Sequence, residues 1–180
     1  VADTFDIRPL VRAELSRIGE IDRTEHIEVL YEQRGTELVE RCGEWSAPAW
    51  APTGSGAHSV EGQRHALEHY VDSGGVALGA FAAGRLVGIG VAVPHLRPGV
   101  AQLAFLHVTS GQRGRGLGSR LVAELERLAR DCGDIEMVVS ATPSENTVRF
   151  YLSIGFELMA VPLPELFGLE PEDVHLRKAL

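Results

Sequence analysis

The sequence predicts an α/β protein, a mixed β-sheet of about six or seven strands with helices on both faces. Three observations carry that expectation. Residues 76–81 and 85–93 are apolar, β-prone runs joined through Ala82-Ala83-Gly84, the pattern of a hairpin with Gly84 at its turn. An apolar run at 101–108 leads through a glycine-rich turn into an amphipathic helix whose Leu117, Leu121, Leu125, Leu128 and Cys132 fall three or four apart. A β-branched run at 135–141 precedes a second helical segment at 144–154.

From the N-terminus, Thr4, Phe5, Asp6, Ile7 and Arg8 alternate as a strand that Pro9 stops. Residues 10–19 read as a helix. Asp22 is placed to cap a second helix, with Glu25 completing a capping box and the helix running through Ile27, Leu30 and Tyr31 toward Gly35. A strand is expected at 36–45. Residues 47–58, rich in Pro, Gly, Ser and Ala, form a loop, and 63–72 a helix. The hairpin follows, then a strand at 103–108 and a helix at 118–131. After the strand at 135–141, the helix at 144–154 starts at Pro143 or Ser144. A strand at 156–161, a proline-rich excursion at 162–171 and a strand at 174–180 complete the chain. Repeats and low-complexity tracts are absent, and residues 1–180 are expected to form one domain.

Composition bounds the function classes. At 44% hydrophobic and 23% charged residues, the chain is an ordinary globular sequence. It lacks an apolar run long enough for a membrane span and a basic region followed by a hydrophobic core, so a cytoplasmic protein is expected. Cys42 and Cys132 are too few for a disulfide framework, and the seven histidines have no metal-type spacing, so no metal is expected. Residues 1–70 hold 7 Arg and 13 Asp/Glu, a net −6, whereas 71–180 hold 10 Lys/Arg and 12 Asp/Glu, a net −2. Within the second part, residues 113–130 carry five Arg against two Glu. That distribution suits an anionic cofactor at the glycine-rich turn and a cationic small molecule elsewhere, and the net acidity argues against nucleic acid. Solvated helix faces explain Glu14, Glu20, Glu25, Glu28 and Glu32 equally well.

The turn itself is Gln112-Arg113-Gly114-Arg115-Gly116-Leu117-Gly118-Ser119. Glycines let a backbone turn tightly and approach an anion. The first helical N–H groups, unpaired within the helix, add partial positive charge. Arg113 and Arg115 add full charges beside it. The Walker loop needs a lysine after its last glycine, where Ser119 stands here. The dinucleotide fingerprint needs a glycine at Ser119 or at Leu121.

Arg113-x-x-Gly116-x-Gly118 resembles the acyl-coenzyme A signature of the GNAT acetyltransferase superfamily. Asn146-Thr147-Val148-Arg149-Phe150-Tyr151-Leu152-Ser153-Ile154-Gly155-Phe156 resembles that superfamily's second motif, a helix bearing Asn and Tyr and ending in Gly-Phe. Leu106-His107-Val108 sits where the family's acetyl-binding strand ends. The three elements span residues 76–157, nearly half the chain. Ser140 to Asn146 and Glu170 to His175 are less typical and mark a subgroup.

The resemblance implies a GNAT sheet splayed after its fourth strand, admitting pantetheine near Val108 and Val139. It implies acetyl-CoA as acyl donor and an N-acetyltransferase acting on the amine of a small acceptor, which the acidic N-terminal third suggests is cationic; a homodimer stays open. A GNAT-fold acyl-CoA-binding module without turnover is the alternative. Coenzyme contacts are expected from Leu106, His107, Val108, Arg113, Gly114, Arg115, Gly116, Leu117, Gly118, Ser119 and Asn146. Tyr151 matches the family's acid, a phenol protonated at neutral pH that can meet the departing thiolate. Its neighbours Val148, Phe150 and Ile154 also suit a core position, and Asn146 also suits a helix start. Backbone N–H groups near His107 and Val108 are placed to polarise the carbonyl.

The general base stays open. The fourth strand offers Gln102, Ala104 and His107 but no acid. Glu25, Glu28 and Glu32, the candidate acceptor-binding residues, are alternatives, as are Glu172, His175 and a water relay. Trp45 and Trp50 flank the long loop, as pocket walls or as anchors.

Overall fold

The computed structural model describes residues 5–180, so the expected strand start at Thr4 lies outside it. Strand β1 (Asp6–Pro9) ends at Pro9 and pairs with β4 (Val76–Ala82) at the sheet edge, where the missing N–H of proline is tolerated. Strand β4 returns as β5 (Arg85–Arg97) through Ala83 and Gly84, at φ 47° and 77°. Two positive φ values in a two-residue loop match the twist of a hairpin. Strand β6 (Val100–Val108) lies antiparallel to β5. Beyond it come β7 (Glu136–Ala141), β9 (Val174–Ala179) and β8 (Glu157–Leu158), giving the order β1-β4-β5-β6-β7-β9-β8.

Both faces of this sheet carry helices. Helix α2 (Leu117–Asp131) buries Leu117, Leu121, Val122, Leu125 and Ala129 on one face. Gly88 and Gly90 of β5 admit it: a Cβ there would lie 3.0 Å from Leu121 Cδ1 and 2.8 Å from Leu125 Cδ1. On the opposite face, β5 presents Ile89 and Val91 to Leu15 and Ile18 of a 3₁₀ segment (Arg12–Glu20) and to Leu67 of α1 (Val60–Asp72). Ser59 caps α1 by accepting from Gly62 N. Strand alternation thus puts small residues under one helix and large ones under the other.

The sheet opens where the resemblance placed the splay. Strands β6 and β7 are parallel and pair only through Val100–Gln102 and Glu136–Val138. From Leu103 onward β6 pairs with β5 alone, and helix α3 (Glu145–Ser153) follows β7 beside the gap.

The helix expected from Asp22 to Gly35 is a strand. β2 (Glu25–Arg34) pairs with β3 (Glu37–Ala47) across Gly35 and Thr36, with Gly35 at φ 62°. Ile27, Val29 and Tyr31 alternate, and β-branched and aromatic residues favour a pleated surface. Glycine at the first central position suits a II′ hairpin turn. Asp22 bonds Thr24 N at 2.9 Å and Ser110 Oγ at 2.6 Å, a local turn rather than a helix cap. The hairpin docks through Tyr31 N on Pro143 O, 2.8 Å. The strand expected at 156–161 shrinks to β8. Within the proline-rich excursion, Pro164 starts a single helical turn, α4 (Pro164–Phe167).

Candidate active site

A cavity of about 910 Å³ fills the gap between β6 and β7. Leu106, His107 and Val108 line one wall, and Val139 and Ser140 the other. Asn146, Phe150 and Tyr151 of α3 face it, and the glycine-rich turn forms its mouth. Because no β7 partner meets Leu103 to Val108, the backbone on that side of β6 is open to a ligand.

The mouth is a helix N-terminus. Gly114 and Gly116 adopt φ 73° and 79°, which glycine alone tolerates well, and a Cβ on either would meet nothing within 4 Å. Gly116 is the N-cap, and Arg120 N closes the first turn onto Gly116 O at 3.1 Å. The N–H groups of Leu117, Gly118 and Ser119 therefore precede any intrahelical bond, the geometry of a terminus that suits an anion. Gly118 has a different role. A Cβ there would lie 3.2 Å from the Phe150 ring, so glycine lets α2 and α3 approach.

The two arginines of the turn are engaged within the protein. Arg113 donates to Val108 O (3.2 Å), Arg23 O (3.3 Å), Thr24 O (3.4 Å) and Glu25 Oε2 (3.2 Å). It ties the end of β6 to the start of β2. Arg115 donates to Gln112 Oε1 at 2.8 Å. Asn146 lines the cavity and donates to Glu25 Oε1 at 3.1 Å.

The three candidate glutamates separate. Glu25 lines the cavity. Glu28 is well exposed beside His26, 3.6 Å away. Glu32 is held by Arg34 and Arg41 and lines a second cavity of about 390 Å³. One face of a helix would have kept the three together; the hairpin does not.

Tyr151 is 5% exposed, faces the cavity, and has no hydrogen-bond partner for its hydroxyl among the described residues. Burial, with the Asp173 charge nearby, holds its phenol above the ordinary range, so it stays protonated. Edge contacts to Phe150 (5.1 Å) and Phe156 (5.4 Å) fix the ring. His107 packs on Phe105 (4.8 Å) and Trp50 (5.2 Å). Burial, then Arg23 and Arg113, push its imidazole down to about 4, so it is neutral at pH 7. Trp50, 8% exposed, walls the cavity beneath Arg23, whereas Trp45 lies outside it at 37% exposure.

Sequence reasoning missed Glu170 and Asp173, which line the same cavity near Tyr151. Burial and the Glu170 charge push the Asp173 carboxyl up to about 7. Partial burial raises Glu170, an exposed residue at the cavity rim, against a hydrogen bond with Ser140 that lowers it. The available signal was topological. A last strand paired to β7 sets Val174 opposite Ala141, and so brings the residues before it to the cleft. Of the other proposed bases, Glu172 lines the second cavity and His175 is buried.

A family model described as "Acetyltransferase (GNAT) family" matches residues 35–156. No curated protein matches the sequence significantly. Among solved structures, nourseothricin acetyltransferase aligns at 16% identity over 99% of both chains, with a TM-score of 0.73. The PaiA N-acetyltransferase of Thermoplasma acidophilum, in complex with coenzyme A, aligns at 19% identity over 98% of this chain and 99% of that one, with a TM-score of 0.63. An aminoglycoside 6′-N-acetyltransferase complexed with coenzyme A aligns at 21% identity over 66% of this chain and 80% of that one, with a TM-score of 0.56. At these identities the solved structures establish a shared fold.

Proposed function

The chain belongs to the GNAT acetyltransferase family, and from that premise we propose that it transfers the acetyl group of acetyl-CoA to the amine of a small, cationic acceptor. One observation carries this reading. The gap between two parallel strands opens onto a glycine-capped helix N-terminus, and a buried phenol lines that same space.

The parts divide the work. The N–H groups of Leu117, Gly118 and Ser119 suit the pyrophosphate, and open space at Gly114 and Gly116 lets it approach. The free side of Leu106 to Val108 suits the pantetheine amides and, at the carbonyl, an oxyanion. Tyr151 supplies a proton to the thiolate when the C–S bond breaks. The coenzyme in two of the aligned structures supports acetyl-CoA as donor.

A coenzyme-binding module without turnover is the second reading, favoured by a β6 strand whose cavity-lining residues include no carboxylate. Release of free thiol from acetyl-CoA separates the two. Turnover with spermidine, lysine or tyramine supports transfer. Saturable coenzyme A binding without thiol release on that panel supports the module.

A further inference from the structure

We propose that Asp173 is the base that takes the proton from the acceptor's ammonium group, and that Glu170 holds that cation at the rim of the cavity. This rests on the acetyl-transfer reading above and supplies the base that β6 lacks.

Three observations point to the pair. Both carboxylates line the cavity that holds the end of β6 and the Tyr151 ring. Neither makes an ion pair among the described residues, unlike Glu25, whose charge Arg113 offsets. The Tyr151 ring is buried nearby, while its hydroxyl reaches the same space and has no protein partner among the described residues, which marks a polar locus completed by a ligand. A cationic amine is the ligand chemistry that two uncompensated carboxylates select.

The carboxylates are held in place. His175 Nε2 lies 3.1 Å from Glu170 O, and a carbonyl only accepts, so the ring proton is on Nε2. Nδ1 then faces Ser140 Oγ at 3.2 Å, whose single hydroxyl proton it shares with the Glu170 carboxylate. Asp173 N donates to Glu170 O at 3.2 Å, and His175 N donates to Gln33 Oε1 at 2.7 Å. The segment carrying both acids is thus fixed to β7 and to the β2–β3 hairpin.

The groups facing Asp173 are few. Tyr151 of α3 and Glu170 lie on the main-cavity side, with Tyr70 of α1 beyond Glu170. Glu172, His175 and the Glu32–Arg41 pair line the second cavity, which Asp173 also borders. Arg41 is committed to Glu32. With burial and Glu170 both acting on it, the Asp173 carboxyl sits at about 7, a range suited to a base at neutral pH.

The reaction balances without a further reagent. Asp173 carboxylate takes one proton from R–NH3⁺, leaving the free amine. The nitrogen lone pair forms the C–N bond at the thioester carbonyl, and collapse breaks the C–S bond. The thiolate takes the phenol proton of Tyr151, and the second proton shed by nitrogen restores the phenol. The proton on Asp173 passes to water, so one proton is released per amide formed.

The test compares the parent with Asp173→Asn, Asp173→Glu and Glu170→Gln, using acetyl-CoA and spermidine. Thiol release is followed from about pH 6 to pH 9, with calorimetric titration of coenzyme A alongside. Asp173→Asn should lower kcat about 10²–10⁴-fold and abolish the rise in rate through neutral pH. Asp173→Glu should retain part of that rise. Glu170→Gln should raise KM for spermidine at low salt with a smaller effect on kcat, and all variants should bind coenzyme A like the parent. A fully active Asp173→Asn variant with the parent's pH profile overturns the assignment while leaving acetyl transfer intact. A parent that binds coenzyme A yet releases no thiol with spermidine, lysine or tyramine overturns the acetyl-transfer reading, and this assignment with it.

Discussion

The amide of Asn146 donates to Glu25 Oε1 at 3.1 Å, and Arg113 takes the other oxygen of the same carboxylate at 3.2 Å. One side chain thereby joins the start of β2, helix α3 and the turn after β6, the three elements that frame the cavity mouth. The Glu25 side chain is 16% exposed, so these bonds are largely shielded from water.

Glu25→Ala should therefore act first on stability. Hydrogen bonds to charged groups contribute about 1.5–3 kcal/mol, and Arg113 keeps three carbonyl partners, so a loss of about 1–2 kcal/mol is expected. Glu25→Gln, which can still accept from Asn146, should lose less. Urea denaturation measures both. An alanine variant as stable as the parent would mean that the junction is incidental and would return Glu25 to consideration as an acceptor contact.

Ser119→Asp tests the anion cradle without threatening the fold. The cavity-lining Ser119 stands in the first turn of α2, where an acidic side chain favours the helix dipole. A carboxylate there also repels a pyrophosphate at the same terminus. Coenzyme A affinity should fall at least about tenfold, a penalty of about 1.4 kcal/mol, while thermal stability holds or rises. Glycine substitutions are less clean. Gly116 at φ 79° strains any side chain, and Gly118 abuts Phe150. Unchanged calorimetric affinity in Ser119→Asp would move the phosphate site away from this turn.

Tyr151→Phe removes one hydroxyl and keeps the contacts to Phe150 and Phe156. The expected result is kcat lowered by about 10²–10⁴-fold with coenzyme A affinity little changed. Because burial raises the phenol above its ordinary range, the parent's rate should show no alkaline fall from this group up to about pH 10. A steep loss of rate near pH 9 in the parent, absent in the phenylalanine variant, would contradict that protonation state. Full activity in the variant would make the phenol structural.

The sheet, its splay and the glycine-rich turn into α2 were legible because local pattern and motif agree there. A two-residue turn at Ala83-Gly84, heptad-like leucines in α2 and unusual glycines between strand and helix each constrain the backbone by themselves. Residues 22–35 misled for a physical reason. Leu30 and Tyr31 mimic helical spacing after a plausible cap at Asp22, and only pairing with β3, a non-local contact, decides in favour of strand. The same non-locality hid Glu170 and Asp173. Glu170 to His175 stood out in the sequence, with Glu172 and His175 as candidate bases, but only the pairing of β9 with β7 shows that Glu170 and Asp173 are the carboxylates carried to the cleft. Arg113 shows the converse: the motif located it, but its four contacts across to β2 and β6 depend on how the chain closes.

Stability against pH should expose two opposed groups in this cavity. Burial lowers His107 from 6.5 to about 4, so the unfolded state binds more protons between those values. That term removes stability as pH falls from about 6.5 to about 4, by up to ~3 kcal/mol. His175, also lowered, adds in the same direction. Asp173 is raised from 3.8 to about 7, so its folded state binds more protons across that window. Its term adds stability as pH falls from about 7 to about 4, by about 2 kcal/mol after allowance for its partial exposure, and Glu170 acts likewise. The His107 and Asp173 terms should therefore largely offset one another between about pH 4 and pH 7. Asp173→Asn should be more stable than the parent at pH 8, with the gain vanishing near pH 4. His107→Gln should gain on the parent as the solution is acidified. Parallel curves for all three proteins would show that neither group is buried in the protonation state assigned to it, and the charge of the acceptor site would have to be argued afresh.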